Sequence, residues 1–272
     1  MKYLEIACFN APSAVIAAAA GADRIELCAD RSVGGTTPPV SDLETLRGQI
    51  QIPIMVMIRP RGGDFIYSDE EFLQMKEDMN RFRGLADGFV FGILKDVNGA
   101  VMVDRERCEE LLQLASPLPC TFHRAIDATS DYQTSVREVA ACGFKNVLTS
   151  GGIQGDVAGG YGNLPVLFGG NLEIMPGGGV RADVLEVLVK ETFCRWFHSS
   201  GIVGEGEVRE GKGQKEVWVK FRRSGKKHKS PSIPALQRQA AETSSAPSVW
   251  GKSAGFDLPL MFNIVYIGRQ AV

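Results

Sequence analysis

The chain has six cysteines, Cys8, Cys28, Cys108, Cys120, Cys142 and Cys194, but none fall in close pairs and there is no C-x-x-C run. That excludes a zinc ribbon and a thioredoxin-type redox pair. Scattered thiols of this kind are expected in a reducing compartment, most of them acting as small buried hydrophobes. No apolar run reaches the roughly 18 residues that a membrane-spanning helix requires. The start Met1-Lys2-Tyr3-Leu4-Glu5 places a carboxylate where a secretory leader has its apolar core. A cytoplasmic location with no membrane partner is therefore expected. The formal net charge is only -2, so nothing in the overall balance calls for nucleic acid. A glycine fingerprint of dinucleotide type is also missing from the helix starts.

What the sequence does contain is a regular alternation. Strand signals fall at Tyr3 to Phe9, Asp23 to Cys28, Ile52 to Ile58, Gly88 to Leu94, Pro119 to Ala125, Asn146 to Thr149, Leu172 to Met175 and Phe193 to Phe197. Helical periodicity covers about 11–20, 41–49, 69–83, 104–115 and 131–141. A single helical crossover between successive strands implies parallel pairing. Eight such strands predict an α/β fold of the (β/α)8 TIM-barrel type, and 272 residues is an ordinary length for one. An open, doubly wound sheet is the structural alternative, but polar residues collect near almost every strand end, which an open sheet needs only at its switch point.

Two stretches break the pattern. Between the sixth and seventh strands the chain is glycine-rich, and only Asn163 to Phe168 could be helical. After Ser200 the alternation stops. The barrel is thus expected over residues 1–200, incomplete at its sixth and eighth helices. Residues 201–272 form an atypical low-complexity tail, first basic and then Ser/Pro-rich, with disorder-like composition. The run Arg222 to Lys229 within it reads as solvated charge rather than a nucleic-acid patch.

Candidate chemistry gathers at the strand ends. The apolar run Ile52 to Ile58 leads straight into Arg59-Pro60-Arg61-Gly62-Gly63-Asp64, where Pro60 forbids a helix and the glycines let backbone approach an anion. Glu5, Glu26 and Cys28 share one strand parity and are expected to point into the barrel. His123, Arg124 and Asp127 follow the fifth strand, Gly177-Gly178-Gly179 the seventh, and His198-Ser199-Ser200 the eighth. Buried carboxylates and guanidiniums must pair or bind something, so one reading is a structural ion-pair network. An enzyme reading makes His123 a general acid/base with Glu26 or Glu5 as partner. Arg59 and Arg61 then clamp a small anionic or phosphorylated metabolite, with Arg124, Asp127, the glycine triplet, His198, Ser199 and Ser200 completing its wall. The loops after strands seven and eight are where barrel enzymes often hold phosphate.

Several of these segments together resemble the CutC family of copper homeostasis proteins. They are Gly21 to Cys28, Gly34-Gly35-Thr36-Thr37-Pro38, Ile58 to Ser68, Thr121 to Ala125, Val147 to Gly151, Met175 to Gly179 and His198-Ser199-Ser200, in order over about 200 residues. The resemblance implies a cytoplasmic, homo-oligomeric barrel that binds copper as Cu(I). It makes Cys28 a candidate metal ligand, paired in some members with a first-strand cysteine. Ala7 stands at that position here, with Cys8 beside it. Because side chains alternate along a strand, Cys8 would substitute only through a bulge; otherwise Met57, His123 or His198 would serve as co-ligand. Family members continue differently after His-Ser-Ser, so the tail is expected to reflect an altered gene model such as retained intron sequence, which transcript sequencing would decide.

Overall fold

The computed structural model describes residues 1–164 and 171–201. The expected tail therefore lies outside the described residues, apart from Gly201, as do the place for an eighth helix and most of the Asn163 to Phe168 segment. In chain order the elements are β1 (Tyr3–Cys8), α1 (Ala11–Ala19), β2 (Arg24–Leu27), α2 (Val40–Arg47), β3 (Ile54–Met57), α3 (Asp69–Phe82) and β4 (Gly88–Phe91). A hairpin of β5 (Leu94–Val97) and β6 (Ala100–Val103) comes next, then α4 (Arg105–Ala115), β7 (Cys120–Phe122), a 3-10 turn (Arg124–Ala128), α5 (Tyr132–Cys142) and β8 (Asn146–Thr149). The remainder is α6 (Val157–Gly160), β9 (Glu173–Pro176), α7 (Ala182–Glu191) and β10 (Trp196–Ser199).

Eight parallel strands form one sheet in the order β10-β1-β2-β3-β4-β7-β8-β9. Its two end strands, β9 and β10, lie side by side, so the sheet is a nearly closed barrel. Several helices begin where the sequence supplies side-chain caps. Asn10 Oδ1 accepts from the Ser13 amide ahead of α1, and Ser68 with Glu71 forms a reciprocal capping box at α3. Every residue of β2, β3, β4 and β8 is buried, as expected for strands covered on both faces. Outward-facing apolar side chains such as Ile25, Val56, Phe91 and Phe122 form the layer beneath the helices. Phe144, in the connection between α5 and β8, joins this layer with its ring centroid 5.0 Å from Phe91 and 5.2 Å from Phe122. Burying each ring contributes about 1.5–3 kcal/mol by the usual apolar-area scaling.

Most strand ends shift by a residue or two from the sequence reading, and three of the differences have a local reason. Leu94 does not extend β4; it opens the hairpin, which turns at Asn98-Gly99 with both residues at positive φ. The fifth barrel strand stops at Phe122, because His123 Nδ1 accepts the Ala125 amide and starts the 3-10 turn. The last strand begins at Trp196 and takes His198 and Ser199 into its ladder, opposite Glu5 and Ile6 of β1. The sixth helix is the short one expected, a single turn at α6.

Candidate functional site

The register places three ionisable residues side by side across the barrel floor. Glu5 on β1 lies opposite Arg24 on one neighbouring strand and His198 on the other. Its Oε2 accepts from Arg24 Nε at 2.5 Å, and its Oε1 lies 2.8 Å from His198 Nδ1. The Arg24 guanidinium stacks 4.1 Å from the Trp196 ring centroid. Burial opposes ionisation of Glu5, but Arg24 and His198 outweigh it and hold its carboxyl below the usual range. His198 is raised: burial disfavours its charge, while Glu26 and Glu5 more than compensate. Glu26 moves up, chiefly because it is buried. This layer is an ion-pair network of two cations around Glu5, and Arg24, one of its anchors, was not singled out from sequence. Its inward parity two residues before Glu26 was the available signal.

Above this floor, at the C-terminal ends of the strands, a cavity of about 710 Å³ opens. Cys28 and Met57 line it. Both belong to a small buried cluster with Met55 and Val90, against which Phe9 packs. The Cys28 thiol donates to Glu26 Oε2 at 3.6 Å. Burial, followed by the neighbouring Glu26, pushes that thiol well above its ordinary value, so Cys28 carries its proton at neutral pH.

His123 also lines the cavity, only 4% exposed, with its ring centroid 4.9 Å from that of Phe65. Because Nδ1 accepts the Ala125 amide at 3.3 Å, the neutral ring carries its proton on Nε2. That nitrogen is buried without a hydrogen-bond partner among the described residues. Burial, with Arg59 and Arg124 nearby, lowers the imidazole to about 3.

Other expected site residues reach the cavity in different ways or not at all. Arg59 lines it, but its Nη1 donates to the Val33 and Gly35 carbonyls and its Nη2 to that of Gly63. It ties loops together and supplies positive field. Arg61 does not line the cavity; its fork goes to Glu71 and Asp64. Asp127 is turned away, accepting from Thr149 Oγ1, the Ser150 amide and hydroxyl, and the Gly152 amide. Cys8 belongs to the outer apolar layer with Ala11 and Ala14; β1 runs without a bulge, so alternation carries its thiol away from Cys28. Gly177 packs where a Cβ would meet Leu148 Cδ1 at 2.4 Å. Arg124, Gly178, Gly179, His198, Ser199 and Ser200 do line the cavity, joined by Arg31 and Arg181, which sequence reasoning passed over.

Glu5, Glu26 and His198 offer ligand atoms within 4.8 Å of one another. Oxygen and imidazole donors suit a divalent ion rather than Cu(I), and both oxygens of Glu5 are already engaged. The soft donors, thiol and thioether, belong to the Cys28 cluster, which touches this group through the Cys28 thiol at Glu26 Oε2.

Parallel strands closing on a charged floor, with a donor-rich cavity at their C-terminal ends, define a TIM-barrel protein whose cavity opens on the face where that fold usually holds its ligands. The chain belongs to the CutC family, whose model matches residues 2–203. It is 40% identical over 205 residues to the human copper homeostasis protein cutC homolog, covering 72% of each chain. It is 36% identical over 248 residues to a CutC family protein of Chromobacterium violaceum, covering 90% of this chain and 94% of that one. A crystal structure described as a CutC copper homeostasis protein from Streptococcus agalactiae superposes with a TM-score of 0.62 at 33% identity, over 74% of this chain and 99% of that one. No helix among the described residues is long and apolar enough to cross a membrane.

Proposed function

We propose that this protein serves copper homeostasis by holding Cu(I) at the barrel mouth, with Cys28 as thiolate anchor and Met57 as thioether partner. The observation that carries this reading is the shared burial of Cys28 with Met55 and Met57 at the wall of the cavity. Cu(I) favours soft sulfur donors, and this cluster collects them on one side of the pocket. A thiol must lose its proton to ligate, so uptake of the ion exchanges a proton for a cation. Glu26 Oε2, already bonded to the thiol, is the acceptor in place for that proton. The copper homeostasis names of the relatives support the assignment. Cys8 has no part in the site.

Competition against a Cu(I) chelator of known affinity tests the reading. Loss of a direct ligand exceeds the 10- to 100-fold effects typical of residues behind the ligands, so Cys28→Ser should weaken binding by more than about 100-fold. Met57→Leu should weaken it less. Affinity unchanged in Cys28→Ser would overturn the assignment. The same reading places the protein in the cytoplasm, where its six free thiols stay reduced, and as a homo-oligomer. Cell fractionation and light scattering check these two points.

A further inference from the structure

A second set of donors in the cavity has no part in copper binding. Arg124 is the first. Its guanidinium makes no hydrogen bond among the described residues, whereas those of Arg59 and Arg61 are engaged with carbonyls and carboxylates. Its nearest carboxylate, Asp127, lies 3.7 Å away and is saturated by the turn after β8. Gly155 connects Arg124 to the loop after β9. A Cβ at Gly155 would sit 3.6 Å from Arg124 Nη2, and one at Gly178 would sit 3.4 Å from the Cα of Gly155. Gly178 and Gly179 then adopt consecutive positive φ values of 95° and 75° and lead into α7.

Two consecutive left-handed glycines turn successive amides toward one side, and a helix start adds its own free N–H groups and positive dipole end. The amides of Gly178, Gly179 and Val180 donate to no acceptor among the described residues. The N-cap of α7, Arg181, makes no side-chain cap bond, so the first turn of the helix lacks that acceptor as well. The third feature is independent of that loop: His123 Nε2–H, a buried donor without a partner on the same cavity. Such a donor in a native interior calls for an acceptor.

We propose that the cavity binds a small phosphate monoester. Its phosphate lies between the Arg124 guanidinium and the amides of Gly178, Gly179 and Val180, and an oxygen on its carbon stem accepts from His123 Nε2–H. A phosphate offers three oxygens to a cation and several amides at once, which this arrangement matches better than a flat carboxylate. The cavity is far larger than one phosphate and reaches from the cradle to His123, so the ligand carries a polar organic stem. Arg31 and Arg181 on the same rim raise the local positive potential.

The test uses copper-free, full-length protein, titrated calorimetrically with glycerol 3-phosphate and separately with inorganic phosphate. Both should bind saturably in the millimolar range or tighter. Loss of a charge-assisted bond should weaken both by roughly ten- to a hundredfold in Arg124→Gln. His123→Asn should weaken the monoester by roughly two- to tenfold while inorganic phosphate binds as before. Arg61→Gln, altered outside the cavity, should match wild type for both. Arg124 is partly exposed, and an unchanged melting temperature in phosphate-free buffer is the check that its variant folds. Absence of saturable binding, or wild-type affinity in Arg124→Gln, overturns the proposal.

Discussion

Lowering the pH from 8 to 5 should remove about 2 kcal/mol of stability through His123 alone. The ring is enclosed by protein beside Phe65, and burial together with Arg59 and Arg124 takes its pKa from 6.5 to about 3. The folded-state value lies below the unfolded one. Between the two, the unfolded chain binds a proton that the folded chain refuses, so the stability is fully present above pH 6.5 and is lost as pH falls. Each pH unit in that window is worth about 1.4 kcal/mol, and pH 5 lies about one and a half units into it. His198 acts in the opposite sense. Its pKa is raised in the fold, so its contribution is full at low pH and disappears as pH rises through the folded value. Wild-type profiles therefore mix the two, and a variant separates them. His123→Asn keeps a side-chain acceptor for the Ala125 amide but cannot titrate. Urea unfolding of both proteins at pH 8, 6.5 and 5 should show the variant gaining about 2 kcal/mol relative to wild type across that range. A difference that stays flat with pH would refute a buried imidazole held neutral by its surroundings.

Glu5→Leu leaves Arg24 as a buried charge without its main partner, and should cost about 3–5 kcal/mol in chemical denaturation; Glu5→Leu with Arg24→Met should recover a large part of that loss, and a double variant as unstable as the sum of the singles would contradict the pairing. Asp127→Ala leaves four donors in the turn after β8 without their acceptor and should cost about 2–3 kcal/mol. A thermal melt within a degree of wild type would show that the carboxylate does not hold that turn.

The barrel was legible because each strand and helix carries its own period, and one helical crossover after another permits only parallel neighbours. The hairpin was missed although its signal, Asn98-Gly99 between apolar runs, is among the strongest short-range ones. The strict strand-helix alternation left no place for it. The same period of two that put Glu5, Glu26 and Cys28 on the barrel interior also assigned Cys8 to the other face, and there it lies. Arg61 looked functional by its proximity to Arg59. Which carbonyls or carboxylates an arginine meets is a matter of tertiary contact: Glu71, spaced for a capping box, both caps α3 and engages Arg61. The pairing of Arg24 with Glu5 was within reach of parity and register. The tautomer of His123, and the hydrogen-bonded state of Arg59 against an Arg124 that makes no hydrogen bond among the described residues, depend on loop conformations that no residue pattern encodes.

X-ray absorption at the copper edge of the Cu(I)-loaded protein tests the central claim most directly. The account predicts a sulfur-dominated shell, with the thiolate contribution absent from Cys28→Ser. A shell of nitrogen and oxygen donors alone would contradict it and move the ion to the Glu5, Glu26 and His198 layer.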